Sequence, residues 1–92
     1  MKATIWKYNL LPGTNKIAFP KKPTVLTIGW QGMDLAMWVL LLGPDLDHQR
    51  IERRFLVVGT GEKFEMSSTD EYVGTAECGR NGIVVHVFEV NS

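Results

Sequence analysis

The sequence predicts an all-β domain of about seven short antiparallel strands, folded as a small β-sandwich or a partly open β-barrel. Three observations carry that prediction. Short segments alternate apolar and polar residues with period two, as half-buried strands do. Turn signals built on Gly, Pro and Asn separate these segments at regular intervals. Three further runs, Leu35 to Leu42, Arg53 to Thr60 and Ile83 to Val90, are apolar on both faces and need cover on two sides.

The chain of 92 residues predicts one domain spanning 1–92. Hydrophobic residues make up 45% and charged residues 22%, the balance of a globular chain. Lys and Arg together equal Asp and Glu at 10 each. This zero net charge argues against general nucleic-acid binding, which depends on a basic surplus that releases counterions. It also weakens the repulsion that keeps copies of a chain apart. One cysteine, Cys78, rules out an intrachain disulfide and suits a reducing compartment. The opening residues lack the unbroken apolar run of a signal peptide, and Leu35 to Leu42 is far below the roughly 20 residues of a membrane-spanning helix. The expectation is a soluble protein of the bacterial cytoplasm, with no membrane association.

Each element follows from its residues. Residues 3–10 place Trp6, Tyr8 and Leu10 on one face and Lys7 and Asn9 on the other. Leu11-Pro12-Gly13-Thr14-Asn15 is a turn, with Pro fixing φ and Gly or Asn accepting positive values. Lys16 to Phe19 forms a second strand with Ile17 and Phe19 inward, and Pro20 to Pro23 is a solvated corner. Thr24 to Gln31 alternates with Leu26, Ile28 and Trp30 on one face. Gln31 to Asp34 is a tight link.

For Leu35 to Leu42 helix competes with strand, because Ala, Leu and Met are good helix formers. The bounding Gly32 and Gly43-Pro44 and the neighbouring strands favour a central strand. Gly43 to Gln49 is a polar loop. Arg50 to Thr60 is the strand around which the others are arranged, ending in Gly59-Thr60-Gly61. Glu62 to Asp70 is an edge segment or a folded loop. Tyr72 to Cys78 repeats the Gly-Thr pair at Gly74-Thr75. Gly79-Arg80-Asn81-Gly82 gives the strongest hairpin signal, because Asn-Gly suits the mirror-image turns. Ile83 to Val90 closes the fold. The doubly apolar runs are middle strands, or are covered by residues 62–70, or bury one face in a homo-oligomer.

Reaction chemistry does not stand out. A nucleophile needs a base held against it, and of the two histidines His86 reads as a half-buried structural or surface residue. Cys78 reads as a small strand-end residue. Asp45, Asp47 and His48 could offer oxygen and nitrogen ligands, but a polar loop explains them, so neither a metal nor a cofactor is expected. Gly59-Thr60-Gly61-Glu62-Lys63 lacks the spacing and the following helix of a phosphate-binding loop, although its bare amides could hold an anion. The arginines could pair with Glu52 or Asp47 or offer a phosphate-binding surface. Trp30 could be a stacking platform or an interface anchor. The candidate binding residues are therefore Trp30, Arg50, Arg54, Thr60 and Gly61.

Several stretches resemble an uncharacterised family of small proteins of phages, prophages and bacteria. They are Ile5-Trp6-Lys7-Tyr8, Phe19-Pro20-Lys21, Trp38, Arg54 to Gly61, Tyr72-Val73-Gly74-Thr75 and Gly82 to Glu89. Where that family leads one to expect a histidine after Gly-Thr-Gly, this chain has Glu62. The resemblance implies a phage-type accessory protein without an established activity. The expected function is a non-enzymatic module that binds a host or phage macromolecule, such as a component of a host defence system. The partner is expected to be a protein, and the chain itself a homodimer or higher homo-oligomer. The alternatives are an oligomeric binder or sponge for a nucleotide signal, and a minor structural component of the virion.

Overall fold

The computed structural model describes residues 1–44 and 50–91. They form seven strands and no helix: β1 (Ala3–Leu10), β2 (Gly13–Phe19), β3 (Lys22–Gln31), β4 (Asp34–Leu42), β5 (Ile51–Gly59), β6 (Glu71–Glu77) and β7 (Val84–Val90). A three-stranded sheet runs β1-β4-β3 and a four-stranded sheet runs β2-β5-β7-β6. All pairs are antiparallel. The two sheets face each other as an open sandwich, so the barrel alternative does not apply.

This topology accounts for the doubly apolar runs. β4 is the middle strand of its sheet, and β5 and β7 are the middle strands of theirs. Residues 35–42 are therefore extended, not helical. Period-two alternation sends Leu35, Met37, Val39 and Leu41 inward to meet Phe19, Phe55, Val57, Val85 and Val87. Tyr8 and Phe19 meet edge to face with ring centroids 5.1 Å apart, and Phe19 meets Phe55 in the same way at 6.4 Å. Such contacts contribute about 0.5–1.5 kcal/mol each beyond burial.

Several boundaries and faces differ from expectation. β2 begins at Gly13, not Lys16, because Gly13 alone takes positive φ (+88°) in the turn. Asn15 does not take it. Its side chain instead accepts from Leu11 N and donates to Leu11 O, both at 2.8 Å, and so clamps the turn from within the strand. In β3 a bulge between Val25 and Thr27 shifts the alternation by one residue. Val25, Ile28 and Trp30 thus pack on the core, and Leu26 stays exposed at 48%.

The β6–β7 hairpin is present, but not as a two-residue mirror-image turn. Cys78 N donates to Ile83 O and Gly82 N to Cys78 O, each at 2.8 Å. Only Gly82 has positive φ, while Asn81 accepts from Ile83 N at 3.0 Å. Residues 62–70 form no strand. They cross the outer face of the four-stranded sheet, where Phe64 lies 5.4 Å from Phe88. Asp70 then accepts from Ser67 N and Asn91 N, tying this segment to the end of β7. No helix of the described residues is long and apolar enough to cross a membrane.

Candidate functional site

The two Gly-Thr pairs of the sequence converge on one histidine. β5 and β7 pair with Val58 opposite His86, and β6 and β7 pair with Thr75 opposite His86. Strand parity places His86 and Thr75 on the outer face of the four-stranded sheet, and the turn after β5 brings Thr60 up beside them. Thr60 Oγ1 lies 2.8 Å from His86 Nε2, and Thr75 Oγ1 lies 3.0 Å from His86 Nδ1. Tyr72 OH extends the row, 2.6 Å from Thr75 Oγ1. Four polar side chains from β6, β7 and the turn after β5 thus form one hydrogen-bonded line across the sheet.

The turn that presents Thr60 is fixed by its neighbours. Thr60 N donates to Val84 O at 3.2 Å, and Glu62 N donates to Gly59 O at 3.1 Å. The Glu62 carboxylate accepts from Gly59 N at 3.0 Å. Glu62, which stands where the resembling family suggests histidine, therefore closes the turn as an acceptor. Gly61 has φ of +87°, the left-handed conformation that glycine adopts at least cost.

Apolar side chains border the polar line. Tyr72 is 61% exposed and meets Phe88 at 5.7 Å between ring centroids, and Phe88 in turn lies 5.4 Å from Phe64 on the crossing segment. Aromatic rings thus lie beside hydrogen-bonding groups whose positions are already set.

The hydrogen-bonded line can be polarised in two directions. With Tyr72 as donor, Thr75 donates in turn to Nδ1, and Nε2–H donates to Thr60. With Thr60 as donor, the sequence reverses and ends on the phenol oxygen. In the first case Thr60 keeps its own proton for an incoming acceptor. In the second, Nε2 holds the Thr60 proton, as a base would hold that of a nucleophile.

The other sequence candidates lie elsewhere. Arg50 precedes β5 at the opposite end from Thr60, about 30 Å away along an extended strand. There its charge partly offsets the rise that burial imposes on the Tyr8 phenol. Arg54 is on the outer face, opposite Lys16 and Val90. Its charge helps hold the Asp70 carboxyl below the usual range, after the two larger contributions from the Ser67 and Asn91 amides. Trp30 is half-buried between the sheets, its Nε1–H donating to Ala76 O at 3.2 Å, so it links β3 to β6. Of the five candidates, only Thr60 and Gly61 belong to the His86 site.

Arg53, one of the arginines that could pair with Glu52 or Asp47 or offer a phosphate-binding surface, turns inward to Glu89. Its Nε and Nη2 donate to the two carboxylate oxygens at 2.5 and 3.3 Å. That hydrogen bond holds the guanidinium above its ordinary value against the opposing effect of burial. The pair lines a cleft of about 320 Å³ between β3 and β6, together with Leu26, Glu71 and Tyr72. Asp45, Asp47 and His48 lie outside the described residues. Among the described residues, no three His, Cys, Asp or Glu side chains gather as a metal site.

Sequence reading missed His86, Thr75 and Tyr72. The usable signal was parity: Thr75 and His86 sit at matched distances from the 79–82 turn, which sets them opposite each other.

A family model described as a domain of unknown function (DUF7352) matches residues 1–92. No curated protein and no solved structure matches the chain.

Proposed function

For a chain that belongs over residues 1–92 to the family described as a domain of unknown function (DUF7352), we propose a non-enzymatic role as a protein-binding module. Its contact surface is the outer face of the four-stranded sheet, centred on His86. The observation that carries this reading is the exposed line Tyr72–Thr75–His86–Thr60, fixed by hydrogen bonds of 2.6–3.0 Å and bordered by Phe64 and Phe88. Side chains already held in place lose little freedom on binding, which favours affinity.

The polarity of the line supports binding over catalysis. A phenolic hydroxyl is a better donor than an aliphatic one, so the order Tyr72 to Thr75 to Nδ1 is favoured. Nε2 then carries its proton toward Thr60 and is not available as a base for it. The sequence resemblance supports placing the module in a phage or prophage, where it would contact a host or phage protein such as a component of a defence system.

The test is capture from bacterial lysate on immobilised protein, comparing the wild type with His86→Ala, Tyr72→Ser and Lys22→Ala. Lys22 lies on the other sheet. A partner retained by the wild type and by Lys22→Ala, but lost from both other variants, supports the reading. A partner retained equally by all four overturns it.

A further inference from the structure

We propose that β1 is a self-association edge: two copies of the chain pair their β1 strands antiparallel around a two-fold axis at Trp6, joining two three-stranded sheets into one. This inference concerns the sheet opposite the His86 site and is independent of that site's reading.

The four sheet edges are not alike. Exposed edges invite pairing with another chain unless they are short, bulged, covered or interrupted by proline. β3 contains Pro23 and a bulge, and it lies against β6, where Trp30 bonds to Ala76. β6 has its own bulge between Tyr72 and Gly74. β2 is bracketed by Pro12 and Pro20 and clamped by the Asn15 side chain. β1 runs Ala3–Leu10 in unbroken register with β4, without proline or bulge. Its one charged side chain, Lys7, is drawn across the sheet face to Gln31 at 2.6 Å. Ile5 and Trp6 are each 58% exposed.

The backbone sets which residues can pair. Gly43 N donates to Lys2 O, and these two residues continue the β1–β4 register past Ala3 and Leu42. In an antiparallel pair, hydrogen-bonded and non-hydrogen-bonded positions alternate. Even-numbered residues of β1 therefore direct their N–H and C=O toward β4, while Ala3, Ile5, Lys7 and Asn9 direct theirs to the open edge. No hydrogen bond among the described residues engages these outward groups. A two-fold partner must match odd residues with odd.

Charge then selects the register. Centring the axis on Lys7 opposes two lysines directly, which is destabilising. Centring it on Ile5 shortens the overlap. Centring it on Trp6 sets Ile5 opposite the partner's Lys7 and Ala3 opposite the partner's Asn9 in hydrogen-bonded pairs. Trp6 then faces the partner's Trp6 in a close non-hydrogen-bonded pair. No like charges meet in this arrangement, and the zero net charge of the chain leaves little long-range repulsion against it.

Light scattering across a concentration series, with dissociation constants for the wild type, Ile5→Lys and Ile5→Glu, tests the proposal. Ile5→Lys sets two lysines opposite each other on both sides of the axis and is expected to weaken the dimer about tenfold. Ile5→Glu sets a carboxylate opposite the partner's Lys7 and is expected to tighten it several-fold. An axis at Ile5 predicts that both substitutions weaken the dimer, which overturns the register. Trp6→Cys, with the buried Cys78 left in place, is expected to cross-link through the new thiol under mild oxidation far faster than a Lys16→Cys control on β2. A wild type that is monomeric at every concentration, or equal cross-linking in both cysteine variants, overturns the proposal.

Discussion

Gly74 on β6 lies against Ile28 on β3, so close that a Cβ at Gly74 would stand 3.0 Å from Ile28 Cγ1 and 3.3 Å from Cδ1. The backbone of one sheet edge thus approaches the side chain of the other so closely that a methyl group fits only if Ile28 gives by a few tenths of an ångström. Gly74→Ala is expected to cost about 1 kcal/mol and to lower Tm by about 4–8 °C. Removing Cγ1 and Cδ1 together with Ile28→Ala in the same chain is expected to restore part of the loss. Calorimetry on the two single variants and the double variant checks this; strictly additive losses would show that the two residues do not compete for space.

The Arg53–Glu89 pair has a second acidic neighbour. Glu71 stands opposite Glu89 in the β6–β7 register, an arrangement of like charges that Arg53 offsets from β5. Removing one member of a buried pair costs about 3–5 kcal/mol. The Arg53 side chain is 40% exposed, so solvent screening reduces the expected loss for Arg53→Met to about 1–2 kcal/mol. Adding Glu71→Gln to Arg53→Met is expected to recover about 0.5 kcal/mol by relieving the opposed carboxylates. Glu71→Gln in the wild type is expected to be nearly neutral. Urea denaturation of the four proteins measures that coupling; equal effects of Glu71→Gln in both backgrounds would refute it.

How much was legible beforehand depends on the range of the interactions involved. Period-two patterning located β1, because alternation is written into consecutive residues such as Trp6, Tyr8 and Leu10, and the doubly apolar runs bounded by turn residues located β4, β5 and β7 as middle strands. The bulge after Val25 was not legible, since only pairing with β4 reveals the extra residue. At the 79–82 turn the Asn-Gly pair pointed to a hairpin, yet the Cys78–Ile83 bond selects a wider connection that leaves Asn81 at negative φ. The site depends on contacts at longer range. Gly59-Thr60 and Gly74-Thr75 were visible as an echo, but their shared partner His86 follows only from the order β5-β7-β6.

Asp70 ties the crossing segment to β7, and its carboxyl is held below the usual range by the Ser67 and Asn91 amides. A depressed folded-state value stabilises the fold above the unfolded-state value, and that contribution is lost as pH falls through the folded-state value. The window therefore opens near pH 4 and extends downward. Asp70→Asn is expected to lower Tm at pH 7, with the gap to the wild type closing as pH falls below about 4. Melting curves across that range check it; a gap that is constant with pH would show that the charge is not what matters.

The direction of the Tyr72–Thr75–His86–Thr60 line can be read from the imidazole itself. If Tyr72 donates first, Thr75 donates to Nδ1, and the neutral ring carries its proton on Nε2, facing Thr60. Nitrogen NMR of the neutral ring is then expected to show the Nε2–H form in excess. Thr75→Val removes the donor to Nδ1 while keeping a β-branched side chain suited to the strand, and is expected to admit the Nδ1–H form. Tyr72→Phe removes only the first donor and is expected to give a smaller change in the same direction. An Nδ1–H ring in the wild type would reverse the line, turn Nε2 into an acceptor for the Thr60 hydroxyl, and make a base-assisted threonine the better account of the site.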